Sequence, residues 1–262
     1  MPVNPTPLQR LRSALFVLWG VVTVTPWGLT AVLLSPFLSA TKLYWFCIAW
    51  VRLLLWGARV FCGVTHKVRG IEHLPTGQKE AVILLAKHQS ALETLALCAL
   101  MPHPLAFVFK KELLYIPFFG WALGRLDMVH IDRKRRAQAF NKVAEQGRRL
   151  AAQGTWVIMF PEGTRIERGQ VGDYKTGGTR LSCATGVPVV PVACATARVM
   201  PPRRLLMLPG VYEVSIGPPM LPTGHTPESL LVQTKAWIEA EMRRIDPEAY
   251  CQEEAPQGAV AA

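Results

Sequence analysis

The chain has 262 residues, 50% of them hydrophobic, and a formal net charge of +11; its mean hydropathy of +0.22 points to a protein partly immersed in a bilayer. The positive balance suits an anionic partner, whether a phospholipid headgroup or a phosphorylated substrate, and the membrane character argues against nucleic acid. Cys47, Cys62, Cys98, Cys183, Cys194 and Cys251 form no Cys-x-x-Cys pair and sit mostly in apolar segments, which argues against a disulfide scaffold or a zinc site.

From residue 13 to residue 41 there is no charged residue and no Asn, Gln or His, a stretch long enough to cross a hydrocarbon core. Pro26-Trp27-Gly28 interrupts it, so it is either one kinked span or two half-length helices that enter and return. A second apolar stretch, 43–64, carries Arg52 and Arg59 on one helical face among several aromatic residues and reads as a helix lying in the interface. The run is too long for the core of a cleaved signal peptide, and residues 1–64 are expected to form a retained membrane-associated helical anchor.

Beyond residue 65 the pattern alternates strand and helix. It predicts a single α/β domain over 65–245, built on one mixed, mainly parallel sheet flanked by helices. Buried-strand candidates are 81–86, 105–109, 128–131, 155–160, 187–193 and 211–216. A helix is expected over 136–153, stopped by Gly154, and a last one starts with Thr226 as N-cap and Pro227 at its first position. Residues 246–262 show little apolar pattern and read as a disordered tail.

Four segments carry chemistry. Lys87-His88-Gln89-Ser90-Ala91-Leu92-Glu93-Thr94 follows a buried strand and sets a side chain that titrates near neutrality beside a carboxylate able to orient it. Ser90-x-x-Glu93 is also a capping box, in which Glu93 only ties down backbone, and the residues alone leave both readings open. Within one helix, positions five apart diverge by about 140°. His88 is therefore expected in the loop before the helix, with Ser90 as N-cap, and Glu93 is expected to serve backbone and imidazole only in part.

In Phe160-Pro161-Glu162-Gly163-Thr164-Arg165, the loop after a strand, Gly163 permits close backbone approach and Thr164 offers two donors. Arg165 can grip two phosphate oxygens at once, with Glu162 orienting it or the loop. The same residues are good turn formers. Lys110 and Lys111 lead into the bulky segment 112–121, either as a solvated pair or as a rim where phosphate meets acyl chain. Asp132-Arg133-Lys134-Arg135-Arg136 opens a helix, where its charge opposes the dipole, so contact with anionic headgroups is favoured for it, Arg133 included.

Taken in order, 88–93, 110–121, 160–165 and Val187-Pro188-Val189-Val190-Pro191, with Ile131-Asp132-Arg133, resemble the blocks of the glycerophospholipid acyltransferases, and most of all the bacterial 1-acylglycerol-3-phosphate acyltransferases. The resemblance covers roughly residues 64–217. It implies acyl transfer from acyl-CoA or acyl carrier protein, as co-substrate rather than cofactor, to the sn-2 hydroxyl of lysophosphatidic acid, giving phosphatidic acid. It implies no metal, an α/β domain behind a membrane-associated helical segment, and a place at the bacterial inner membrane with the site facing the cytoplasm. The family pairs His with Asp, whereas this chain has Glu93, one methylene longer.

On that basis His88 is expected to take the proton of the acceptor hydroxyl while Glu93 holds the tautomer, with the substrate supplying the nucleophile. No Gly-x-Ser-x-Gly elbow is present. Glycerol 3-phosphate or another lysolipid is the alternative acceptor, a membrane-bound acyl thioesterase the alternative reaction, and a basic membrane-surface protein the non-enzymatic alternative.

Overall fold

An unbroken apolar run needs cover on both faces, which the interior of a sheet supplies. The computed structural model describes residues 5–77, 80–131, 145–202 and 204–251. Its strands are β1 (Val64–Arg69), β2 (Ile83–Ala86), β3 (Leu105–Lys110), β4 (Val129–Ile131), β5 (Trp156–Met159), β6 (Val189–Cys194) and β7 (Gly210–Ile216). They form one sheet in the order β1-β7-β6-β2-β5-β3-β4, with every pairing parallel except that of β6 with β7. This is the mixed, mainly parallel sheet expected, and β2, buried at all four residues, lies at its centre. β1 has no counterpart among the predicted strands: apart from Val64 none of its residues is buried, so no apolar run marks it.

The helices are α1 (Pro7–Leu34), α2 (Ala40–Cys62), α3 (Leu92–Leu100), α4 (Phe119–Leu123), α5 (described over 145–152), α6 (Gly177–Thr185), α7 (Pro227–Ile245) and α8 (Pro247–Tyr250). α1 runs unbroken through Pro26 for 28 residues, about 42 Å at the α-helical rise. It is therefore one helix rather than two halves, and the chain reverses after it into α2. Three indole N–H groups are satisfied inside this hairpin: Trp19 on Leu53 O, Trp27 on Phe46 O and Trp50 on Thr23 Oγ1. The helices approach closely at Gly57, where a Cβ would lie 2.4 Å from the Trp19 ring. Both are long and apolar enough to cross a membrane.

The predicted C-terminal boundary needs correction. Asp246 is fully buried and accepts from Arg168 Nε and Nη2 at 2.8 and 2.6 Å, and Tyr250 is buried beyond it. Residues 246–250 thus belong to the folded domain, because an ion pair and one aromatic ring hold a segment too short to show an apolar period. Residues 252–262 lie outside the described part.

What this architecture does for a site follows from register. β5 and β6 flank β2 in parallel, with Leu85 opposite Met159 and Ala86 opposite Val192. All three strands end at one sheet edge, so the segments after residues 86, 159 and 194 converge where parallel α/β sheets place ligands.

Candidate active site

His88 sits in the loop between β2 and α3, as the spacing argument requires, and its Nδ1 lies 2.8 Å from Glu93 Oε1. An ionised carboxylate can only accept, so Nδ1 carries the proton and Nε2 keeps its lone pair. Nε2 has no hydrogen-bond partner among the described residues, and the side chain keeps 16% of its surface exposed. The imidazole stacks on Phe160, centroids 4.1 Å apart and planes at 18°.

Glu93 is fully buried and corrects one expectation, since its carboxylate serves backbone and imidazole together. Oε1 accepts from His88 Nδ1, Gln89 N (2.6 Å) and Ser90 N (2.7 Å); Oε2 accepts from Ser90 N (3.0 Å), Ser90 Oγ (2.7 Å) and Thr196 Oγ1 (2.5 Å). Two oxygens offer about four lone-pair sites, enough to divide this way. Burial pushes the carboxyl up, but the His88, Thr196 and Ser90 hydrogen bonds with the charge of His88 outweigh it and hold it below the usual carboxylate range. Ser90 receives the N–H of Leu92 at 3.0 Å, and the helix cap falls at Ala91, one residue later than expected.

In the loop after β5, Gly163 adopts a left-handed φ of 67°, a conformation that suits glycine. Arg165 is half-buried and makes no hydrogen bond or ion pair among the described residues, which leaves its guanidinium for a ligand. Thr164 beside it is exposed. Glu162 does not take the predicted place with them. It is buried, and both oxygens are engaged, Oε1 by Lys87 Nζ at 2.7 Å and Oε2 by His88 N at 2.9 Å. A carboxylate turned inward supports the histidine and would repel a phosphate. Burial, only partly offset by Lys87, holds its carboxyl above the usual range.

Lys110 closes β3 and Lys111 opens the 3₁₀ turn Lys111–Tyr115. Because β3 pairs with β5 in parallel, the backbone brings both to the edge that carries the histidine loop. Arg133 lies outside the described residues. Next to the site is an apolar cavity of about 140 Å³, open to solvent on one side, walled by the α1–α2 hairpin, α3 and the segment after β3. Val24, Trp27, Ile48, Leu95 and Phe107 are among its lining. Phe107 lies 6.4 Å, centroid to centroid, from Phe160, so aromatic rings lead from the cavity to His88.

Residues 65–195 match the family model described as Acyltransferase. The chain is 37% identical over 244 residues to the 1-acyl-sn-glycerol-3-phosphate acyltransferase of Pseudomonas aeruginosa, covering 92% of this chain and 93% of that one. The chain belongs to the acyltransferase family. It is also 31% identical over 182 residues to 1-acyl-sn-glycerol-3-phosphate acyltransferase alpha of Mus musculus, covering 69% of this chain and 63% of that one. Its fold is that of the crystal structure of the 1-acyl-sn-glycerophosphate (LPA) acyltransferase PlsC from Thermotoga maritima, with a TM-score of 0.74 at 22% identity, covering 91% and 97% of the two chains.

Three residues near this candidate site were given no role by the sequence motifs. Thr196, in the 3₁₀ turn after β6, reaches Glu93 only because β6 neighbours β2. Lys175 is exposed, and a Cβ on Gly163 would lie 3.1 Å from its Nζ, so it adds a cation beside Arg165's loop. Lys87 is fully buried. It alone left a signal, as a charged residue directly after a buried strand, where a carboxylate partner is required.

Proposed function

We propose that this protein transfers an acyl chain from acyl-CoA or acyl carrier protein to the sn-2 hydroxyl of 1-acylglycerol 3-phosphate, giving phosphatidic acid. One observation carries the reading: an imidazole whose Nδ1 is fixed by a buried carboxylate, and whose Nε2 has no partner among the described residues, shares one sheet edge with the loop of Arg165 and lies near an apolar cavity. His88 Nε2 takes the hydroxyl proton as the oxygen attacks the thioester carbonyl carbon. The C–S bond then breaks, and the proton passes from the imidazolium to the departing thiolate. A thiol pKa of about 8.5 makes that thiolate a ready leaving group. Glu93 keeps the tautomer and stabilises the imidazolium, as the carboxylate of a triad does.

Arg165, with the backbone of Gly163 and with Thr164, Lys110 and Lys111, holds the acceptor phosphate, and an acyl chain enters the cavity. Arg133 contacts lipid headgroups, and no cofactor takes part. The protein works at the bacterial inner membrane with its site facing the cytoplasm, where acyl thioesters are made; the two apolar helices support a membrane location.

The test is an assay of purified His88→Ala with acyl-CoA and 1-acylglycerol 3-phosphate. A loss of about 10²- to 10⁴-fold is expected, and near-normal turnover would end the mechanism. Thioester turnover independent of added lysolipid would replace transfer by hydrolysis, and a preference for glycerol 3-phosphate would change the acceptor.

A further inference from the structure

Lys87 continues β2 by one residue, its N–H donating to Val192 O at 2.9 Å, and its side chain is 0% exposed. Its ammonium has three protons to place, and three acceptors stand around it: Glu162 Oε1 at 2.7 Å, Glu239 Oε1 at 2.8 Å and Gln170 O at 3.1 Å. Glu239 comes from α7 and also accepts from Tyr174 OH at 2.7 Å. One buried cation therefore joins the end of β2, the loop after β5 and α7.

Stability alone is a poor reason for this arrangement, because a well-packed apolar replacement of a buried ion pair is often neutral or stabilising. The partner of the partner gives a better one. Glu162 uses one oxygen for Lys87 and the other for the main-chain N–H of His88. The His88 carbonyl in turn accepts from Ile166 N at 2.8 Å, in the same loop. Both backbone polar groups of His88 are thus held by the segment 162–166, and Lys87 keeps the carboxylate of that segment facing inward.

We infer that Lys87 is a positioning residue for acyl transfer. Through Glu162 it fixes the His88 backbone, and with it the ring between Phe160 and Glu93. This rests on the reading of His88 as the general base.

The test compares Lys87→Met and Glu162→Gln, with turnover expressed per folded molecule. Glu162→Gln is the fold-safe arm: Lys87 keeps Glu239, and the amide matches the carboxylate in size. An amide has a single oxygen, so Gln can accept from Lys87 or from His88 N and must lose one link. Both variants are expected to lower kcat about 10- to 100-fold, with donor and acceptor KM within about twofold of the parent. A purely structural lysine would lower Tm and leave kcat per folded molecule unchanged, and that result overturns the inference. Should Lys87→Met fail to fold, unchanged kcat in Glu162→Gln overturns it just as well. His88→Ala assayed alongside separates the failures: an active His88→Ala ends the base mechanism and the positioning role together, whereas an inactive one beside active Lys87→Met and Glu162→Gln ends only the latter.

Discussion

Glu93 gathers five donor groups on two oxygens, and the one on His88 Nδ1 has a chemical consequence. Replacing it by Gln keeps the volume but puts an N–H donor where acceptors are needed, so the imidazole loses its enforced tautomer; a kcat loss of about 10²-fold or more is expected in the lysolipid assay. Glu93→Asp retains the charge but withdraws it by one methylene, and its loss should be smaller. The same carboxylate also gives an acid-stability signature. Its folded pKa lies below the ordinary value of about 4.3, so the stability it contributes is complete above that value and is lost as pH falls through the folded pKa. In chemical denaturation between pH 6 and acid, Glu93→Gln should flatten that part of the stability profile. At the rim, Arg165→Lys replaces a planar fork by a point charge, and a raised acceptor KM with kcat nearly unchanged is expected.

At the scale of elements, α7 shows how local chemistry fixes a boundary. Thr226 Oγ1 accepts from Ser229 N at 3.2 Å while Ser229 Oγ accepts from Thr226 N at 3.0 Å, with Pro227 at the first helical position. Thr226→Ala should cost about 1 kcal/mol of stability, read by denaturant titration. The α1–α2 hairpin depends on close approach instead. Any side chain at Gly57 would enter the Trp19 ring, so Gly57→Leu should cost about 1–3 kcal/mol by forcing the helices apart, seen as a lower Tm of the detergent-solubilised protein.

Across the whole molecule, the N-terminal helix is part of the α/β body rather than a detachable tether. Ser13 Oγ exchanges hydrogen bonds with Met207 N and O at 3.0 and 3.2 Å. Near the other end of α1, Gly28 meets Phe118 so closely that a Cβ would lie 2.8 Å from its carbonyl oxygen. Phe118 itself has a φ of 61°, a strained value for a non-glycine residue. α1 also supplies Val24, Trp27, Gly28 and Ala31 to the cavity wall. Deleting residues 1–39 should therefore abolish transfer even when the protein is supplied with lysolipid in detergent micelles. Detergent-phase activity equal to the full chain would show that α1 serves only as an anchor.

The letters of the chain by themselves determined much of this. Apolar runs bounded by turn residues marked six of the seven strands among the described residues, because burial on both faces selects such runs. Thr226 and Pro227 marked the start of α7, and the helical angle between positions 88 and 93 put the histidine outside α3, since these depend on neighbours in sequence alone. Tertiary structure decided the rest. Whether Glu162 faces phosphate or Lys87, and whether Thr196 meets Glu93, depends on which strands lie beside β2. Contacts between residues 75 or 103 positions apart leave no local period to read. The division of one carboxylate among imidazole, backbone and hydroxyl was likewise undecidable from spacing, because it is set by donors that two separate segments, 88–90 and the turn at Thr196, bring to the same edge of the sheet.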